Sequence, residues 1–190
     1  MSNAILTENI SDALVVRFNR PEIRNPLSVS VLESVLGILE ETAEDRSVRK
    51  VVFTGTEGVF ASGADLREIA NITSSDAAEF ARRGQSLMAQ IAGTSAETIA
   101  AINGPCFGGA LDLALACDRR IAVPAATFCH PGAGLGIITG WGGTQRLSRL
   151  IGRANALEMF FPASPISAAR ALEIGLIDAI ADDPVSEALR

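Results

Sequence analysis

The chain has 190 residues, of which 48% are hydrophobic and 20% are charged, as expected for one globular domain with a sizeable core. Its net charge of −6 comes without a cluster of lysine and arginine among aromatic residues, which argues against nucleic acid as a partner. No apolar run is long enough to span a membrane and no leader is evident at the N-terminus, so we expect a cytoplasmic protein without a membrane partner.

The first part of the chain predicts a hairpin followed by a helix. Ile5–Glu8 and Ala13–Phe18 are two short apolar runs separated by a polar turn. Residues 19–26 contain two prolines and no apolar period, which indicates a loop. A helix capped by Ser28 or Ser30 then runs to about Glu44, with apolar residues at helical spacing.

Two strand, loop and helix units form the middle of the chain. Val51–Thr54 is an apolar strand followed by a glycine-bearing loop, and an amphipathic helix is predicted from about 76 to 92. Thr98–Ile102 is the next strand, after which Gly108 and Gly109 lead into an almost wholly apolar helix that contains Asp112. This order favours parallel pairing with helical crossovers.

The last part of the chain predicts shorter elements. Short strands are expected at Arg120–Val123 and Thr127–Cys129, and a glycine-dense stretch over 132–143 precedes a helix through about Ile151. Further helices are predicted over 154–161 and 168–174, then a strand at Ile177–Ala181 and the start of a helix at Pro184–Arg190.

The glycine pair at the start of the Asp112 helix admits two interpretations. The first N–H groups of a helix lack partners inside it and form the positive end of the helix dipole. Such a position suits a ligand oxygen that develops negative charge. The alternative is a tight turn into a core helix, with Asp112 merely complementing the dipole.

The cysteines and the single histidine exclude several site types. Cys106, Cys117 and Cys129 are odd in number and lack metal-site spacing, so each is expected to be a small buried hydrophobic residue. His130 is the only histidine, and no G-x-S-x-G motif accompanies it, which argues against a serine hydrolase triad. We therefore expect no metal site.

The segments FASGADL, NGPCFGGALDLALACD and GWGGTQRL resemble signature segments of the crotonase (enoyl-CoA hydratase/isomerase) superfamily. The resemblance implies an α/β fold, a right-handed spiral of ββα turns in one domain over residues 1–190. It also implies a homo-oligomer, a trimer or hexamer. Members usually continue as further helices over the acyl pocket, so the C-terminal helical region is expected to be shortened, with a site that is either open or completed by a neighbouring subunit.

The resemblance also implies a substrate, an acyl-CoA thioester, with no cofactor beyond the CoA of that substrate. By motif match, the backbone N–H groups of Ser62 and Gly109 would hold the thioester oxygen. Arg24 occupies the place of a basic residue near the CoA phosphates, although it can equally be a solvated loop arginine. Further CoA contacts are expected from the segment around Ser62, namely Ala61, Gly63, Ala64, Asp65 and Leu66.

The acid and base groups depart from the family pattern. Hydratases carry glutamates at the positions of Asp112 and Gly132, so here the first is one methylene shorter and the second has no side chain. Dienoyl-CoA isomerases have an acid at the position of Gly140, which is also vacant here. His130 could substitute, but a strand-end histidine that points elsewhere is the favoured interpretation.

We therefore expect an enzyme of the hydratase/isomerase group that acts on an acyl-CoA through an enolate-like state, with Asp112 as the proton-transfer carboxylate. Alternatives are decarboxylation or thioester hydrolysis on the same fold, and a non-catalytic CoA-ligand binder or assembly subunit. Trp141 either lines the acyl pocket or belongs to the core.

Overall fold

A computed structural model describes residues 4–190, so the predicted domain of residues 1–190 begins with three residues outside the described part. The strands are β1 (Ile5–Ile10), β2 (Ala13–Phe18), β3 (Pro26–Leu27), β4 (Lys50–Gly55), β5 (Gly63–Ala64), β6 (Glu97–Ile102), β7 (Cys106–Phe107), β8 (Arg119–Ala122), β9 (Thr127–Cys129), β10 (Ile166–Ser167) and β11 (Ala179–Ile180). The helices are α1 (Val29–Glu44), α2 (Leu66–Ile69), α3 (Ala77–Gly93), α4 (Gly109–Ala116), α5 (Gly132–Leu135), α6 (Gly143–Phe160), α7 (Ala168–Glu173) and α8 (Pro184–Ala188).

Six strands form the main sheet, in the order β1-β2-β4-β6-β8-β11. β1 and β2 are antiparallel, as a hairpin requires, and every other neighbouring pair in this sheet is parallel. The central strands β4 and β6 are almost wholly buried because helices of the crossovers cover one face and α8 packs near the other. The predicted hairpin and parallel crossovers are confirmed.

The short strands form a second layer beside the main sheet. β3 pairs with β5, and β7 lies between them and β9 because Ala61 bridges to Cys106 just before β5 begins. The chain therefore repeats one pattern: a long strand in the main sheet, a short strand in the second layer, then a helix. This repetition confirms the predicted α/β fold built of ββα turns.

Helix α4 occupies the centre of the molecule. Residues Ala110–Ala116 are all buried, and the helix packs against α3, α6 and β5. A helix that is apolar on every side is expected to be buried. Asp112 on this helix is consequently held in the interior, next to the layer of short strands.

Several boundaries differ from the sequence-based predictions. The two helices predicted on either side of residue 152 form α6, which is broken at Gly152, where φ is 78°. The last strand is only Ala179–Ile180, paired with β8. The segment that ends at Leu66 was expected to lead into a helix, and α2 is such a helix of four residues, whereas the four-residue helix α5 was not predicted. Among residues 4–190 no helix is long and apolar enough to cross a membrane.

Candidate active site

A cavity of about 580 Å³ opens between α3, the start of α4 and the segment 130–141. Its walls are mainly apolar, formed by Leu66, Ile69, Phe80, Leu135, Ile137 and Trp141. The polar side chains on its wall include Asp112, His130, Thr139 and Ser62. An apolar cavity with a few converging polar groups is the usual form of a small-molecule site.

The backbone of the cavity-lining residues Ala64 and Gly109 comes close together where β5 meets the start of α4. A Cβ added at Gly63 would lie 2.8 Å from the Gly109 nitrogen, and one added at Gly109 would lie 3.2 Å from the Ala64 nitrogen. Gly109 is the first residue of α4, so its N–H has no acceptor within the helix. The turn, loop and cap hydrogen bonds of residues 4–190 do not use that N–H either.

The Asp112 carboxyl is almost completely buried, with only 1% of the residue exposed. Its Oδ2 accepts a hydrogen bond from the Thr139 hydroxyl, while its Oδ1 has no partner among the described residues. Burial raises the pKa of Asp112 from 3.8 to about 6, although the Thr139 hydroxyl, the Trp141 backbone and Arg146 each favour the ionised form. A carboxyl with this pKa can exchange a proton near neutral pH.

His130 lies directly beside that carboxyl. Its Nε2 is 3.7 Å from Asp112 Oδ1, and its ring packs against Phe160 with a centroid separation of 5.1 Å. Burial lowers the pKa of His130 from 6.5 to about 4, so the imidazole is neutral at physiological pH. The favoured expectation of a histidine that points away from the site is therefore wrong.

Comparison with known proteins decides the family. A sequence model of the family described as enoyl-CoA hydratase/isomerase matches residues 8–189. This chain belongs to the enoyl-CoA hydratase/isomerase family. The crystal structure of an enoyl-CoA hydratase from Bacillus anthracis superposes with a TM-score of 0.94 at 34% identity, covering 98% of this chain and 74% of that one. The crotonase-type spiral expected from the sequence is thus confirmed.

Curated relatives give the same family and show a difference in length. A mitochondrial enoyl-CoA hydratase domain-containing protein 2 from Bos taurus is 40% identical over 164 residues, covering 86% of this chain. A short-chain-enoyl-CoA hydratase from Clostridium acetobutylicum is 36% identical over 181 residues, covering 95% of this chain. The chain spans 55% of the bovine relative and 69% of the clostridial one.

In this family member the Ser62 amide does not have the predicted role. Its N–H donates to the Arg24 carbonyl oxygen at 2.9 Å, so it is not free to bind a substrate oxygen. The prediction of Ser62 as an oxyanion donor is wrong because this N–H already has an acceptor within the chain. The Ala64 nitrogen, which lies two residues further along, is the one near Gly109.

Other predicted contact residues fall into two groups. Those on the cavity wall are Ser62, Ala64, Leu66, Gly109, Asp112, Gly132 and Trp141. Arg24 is exposed in the loop before β3, and Asp65 caps α2, where its carboxylate accepts three hydrogen bonds from Arg67. That guanidinium lowers the pKa of Asp65. Gly63 is buried behind the wall.

Ala61 is not a contact residue. It is fully buried, its N–H donates to the Pro105 oxygen, and its own oxygen accepts from the Phe107 N–H. Both backbone groups therefore tie the segment before β5 to β7. The prediction that Ala61 binds substrate is wrong for this reason.

Trp141 belongs to the core and also reaches the cavity, so a role in an acyl pocket stays a prediction. It is buried, packs against Phe80 and also lines the cavity. Glycines at 84 and 109 make room for it, because a Cβ at either position would lie within 2.5 Å of the indole. The indole thus closes one side of the cavity.

The backbone around Gly132, the position of the missing acid, leaves no room for a side chain. A Cβ there would lie 2.6 Å from the Ile137 carbonyl oxygen, and the Ile137 N–H donates to the Gly132 oxygen at 3.0 Å. The loop around α5 is thus closed tightly over a residue without a side chain.

Thr139, by contrast, was not predicted. A threonine between two apolar residues and a glycine gives no signal in the sequence, and only the loop geometry brings it to Asp112.

The three cysteines are free and buried, as expected. Burial raises the pKa of the Cys106 and Cys117 thiols, which favours the unreactive protonated form.

Proposed function

We propose that this chain is an enzyme that acts on acyl-CoA thioesters through an enolate-like state. The observation that carries the proposal is a buried carboxyl, Asp112, one turn along α4 from Gly109 and inside an apolar cavity. Proton transfer beside a thioester carbonyl places negative charge on the carbonyl oxygen, so the reaction needs both a proton-transfer group and an oxygen-binding site.

The proposed oxygen-binding site consists of the N–H groups of Ala64 and Gly109. The Gly109 N–H has no acceptor within α4 and lies at the positive end of the dipole of that helix, so it is suited to donate to a substrate oxygen. Gly63 has a φ of 94°, which interrupts the extended backbone, so the Ala64 N–H need not follow the direction of the bonded Ser62 N–H. Loss of one such donor typically lowers the rate about 100- to 1000-fold.

The reaction type is proposed to need one carboxyl. Asp112 is the only Asp or Glu on the described cavity wall, and the tight loop at Gly132 leaves no room for a second in that place. A single carboxyl that removes a proton from one carbon and returns it to another, as in double-bond isomerisation, fits this arrangement best. Decarboxylation and thioester hydrolysis are the second candidates, because one acid also suffices for them. Hydration is the activity that the name of the clostridial relative suggests.

The test measures exchange of the α-protons of butyryl-CoA in D₂O by ¹H NMR, together with hydration of crotonyl-CoA. We expect exchange in the wild type and a loss of about 100-fold or more in Asp112→Asn. Asp12→Asn, an exposed carboxylate outside the site, is the matched control and is expected to leave exchange unchanged.

Two results would contradict the proposal. Equal exchange in wild type and Asp112→Asn would remove Asp112 from the chemistry. Tight binding of CoA thioesters without exchange or turnover of any of them would instead support the non-catalytic binder.

The other expectations from the sequence stay predictions. They are the contact of Arg24 with CoA phosphates, a cytoplasmic location, assembly as a trimer or hexamer, and reaction without a metal or a further cofactor. The exposed apolar side chains near the cavity mouth, Leu66, Leu135 and Ile138, support assembly. Sedimentation of the purified chain measures it directly.

A further inference from the structure

Two neighbouring side chains in the cavity wall carry three buried polar atoms without hydrogen-bond partners. They are Asp112 Oδ1 and both ring nitrogens of His130, and the only other such side-chain atom among residues 4–190 is Thr54 Oγ1. Buried polar atoms are almost always hydrogen-bonded, and leaving one without a partner is destabilising. A cluster of such atoms in one contact therefore indicates an interaction that forms during function.

The two side chains are close enough to interact directly. Nε2 and Oδ1 are 3.7 Å apart, less than about 1 Å beyond an ordinary N–H···O hydrogen bond. The other carboxyl oxygen is already held by Thr139. Phe160 packs at a 30° interplanar angle on the imidazole and fixes the plane of the ring.

The backbone of α6 is shaped to allow this contact. A Cβ on Gly143 would lie 1.9 Å from Asp112 Oδ1 and 2.9 Å from His130 Cε1. The side chain of any residue other than glycine at position 143 would thus enter the space between the Asp112 carboxyl and the His130 imidazole. Glycine at 143 leaves that space to the two side chains.

We propose that His130 is a positioning residue for Asp112, and that its Nε2–H donates to Oδ1 while the Thr139 hydroxyl donates to Oδ2. The carboxyl is then held between two side-chain donors from the segment that follows β9. This pair of donors favours the ionised carboxylate, the form that can accept a proton from a substrate. The proposal rests on the proposed function of Asp112 and names what controls it.

Few other titratable groups face this carboxyl. Arg146 on α6 favours its ionised form, and the Cys106 thiol on β7 is protonated, since burial raises its pKa well above the usual value. Neither group contacts the imidazole as a hydrogen-bond partner, because both ring nitrogens are without one. The pH response of the pair is therefore set mainly by Asp112 and His130 themselves.

The test uses the fact that His130 is the only histidine, so ¹⁵N-histidine labelling gives a single imidazole signal. At pH 7 we expect a neutral ring in the Nε2–H form. A titration is expected to show an inflection in its ¹⁵N shifts near pH 6, where Asp112 ionises, and this inflection should vanish in Asp112→Asn. Asp12→Asn should retain it. This readout needs no turnover, so a protein without activity would count against the proposed function alone.

Variants at the contact provide the second measurement. Gly143→Ala should abolish the inflection, whereas Gly37→Ala, where a Cβ meets open space in α1, should not. If exchange activity is present, His130→Phe should move the acid limb of the pH profile upward by about one to two pH units, as loss of a hydrogen bond to a charged group predicts. His130→Gln, which keeps a donor, should move it less.

Three results would overturn the proposal. The first is an imidazole that carries its proton on Nδ1 at pH 7, and the second is a pH dependence of the ¹⁵N shifts that does not change in folded Asp112→Asn. The third is an acid limb of the activity profile that does not move in His130→Phe. Circular dichroism of each variant establishes that it is folded. Should Asp112→Asn fail to fold, Thr139→Val replaces it in the test. Loss of the Thr139 hydroxyl should raise the pKa of Asp112 and move the inflection to higher pH. Thr139→Ser keeps a hydroxyl and should leave the inflection near its original pH.

Discussion

The two buried titratable groups of the site predict opposite effects of pH on stability. The Asp112 pKa rises from 3.8 to about 6 in the folded protein, so the folded state binds this proton more tightly than the unfolded chain does. Its contribution is fully present below pH 3.8 and is lost as the pH rises to about 6. The full difference is about 3 kcal/mol, and because only 1% of the residue is exposed, solvent screening reduces it little.

His130 acts in the reverse direction. Its pKa falls from 6.5 to about 4, so stability is fully present above pH 6.5 and is lost as the pH falls to about 4. This term also amounts to about 3 kcal/mol. In the wild type the two terms nearly cancel between pH 4 and 6.5, and each single substitution removes one of them.

The assay is urea unfolding at pH 4.5 and pH 7, monitored by the fluorescence of Trp141, which is the only tryptophan and is buried. Relative to wild type, Asp112→Asn should gain about 2 kcal/mol in its free energy of unfolding on going from pH 4.5 to 7. His130→Phe should lose at least a similar amount over the same change, because it removes the His130 term and also raises the pKa of the remaining Asp112. Asp12→Asn, an exposed control, should run parallel to wild type.

The reasoning is refuted if the curves of wild type and Asp112→Asn run parallel between these two pH values. That result would mean that the carboxyl has an ordinary pKa and is well solvated or firmly paired in the folded protein. The comparison uses differences between variants, so the other acids of the chain drop out of it.

Two further predictions concern the glycines around the cavity. Gly84→Ala should destabilise the protein by about 1 to 3 kcal/mol and red-shift the Trp141 emission, because its Cβ would lie 2.2 Å from the indole. Gly93→Ala at the end of the same helix meets no atom within 4 Å, so a urea titration should show it to be neutral or stabilising by up to about 1 kcal/mol. Gly132→Glu should lower stability without producing hydration of crotonyl-CoA, because its Cβ would lie 2.6 Å from the Ile137 carbonyl oxygen. A Gly132→Glu variant that is as stable as wild type and hydrates crotonyl-CoA faster would show that the loop can accept the second acid.

Long apolar segments made much of the fold predictable. The runs at β2, β4 and β6 are short, rich in β-branched residues and without a polar face, which favours buried strands, and the longer apolar sequence after the glycine pair favours a buried helix at α4. The two-residue strands β3, β5 and β7 lie in segments rich in glycine and proline, which predict turns. Their pairing comes from tertiary packing, and a window of sequence does not contain it.

The relative placement of candidate site residues was most predictable where they share a helix. Asp112 and Gly109 share α4, so their spacing along the chain fixes their separation in space. Ser62 and Ala64 stand around Gly63, where a φ of 94° changes the direction of the chain, so sequence alone does not decide which amide faces the cavity. Thr139 reaches Asp112 from a loop, and no local pattern marks it.

The glycines near Asp112 provide space more than flexibility. Gly84 and Gly109 lie against the Trp141 indole, and Gly143 lies against the carboxyl, so a methyl group at any of the three would occupy volume that a functional side chain now fills. A turn-forming role explains none of these contacts, because all three residues are within helices and have no left-handed φ. Helical glycine lowers stability by about 1 kcal/mol relative to alanine. Only Gly84 lies in the interior of its helix, so the chain tolerates that loss there, whereas Gly109 and Gly143 are the first residues of α4 and α6. All three lie where the indole or the carboxyl must approach the backbone, which is the expected pattern if the placement of these two groups is what the fold is built to secure.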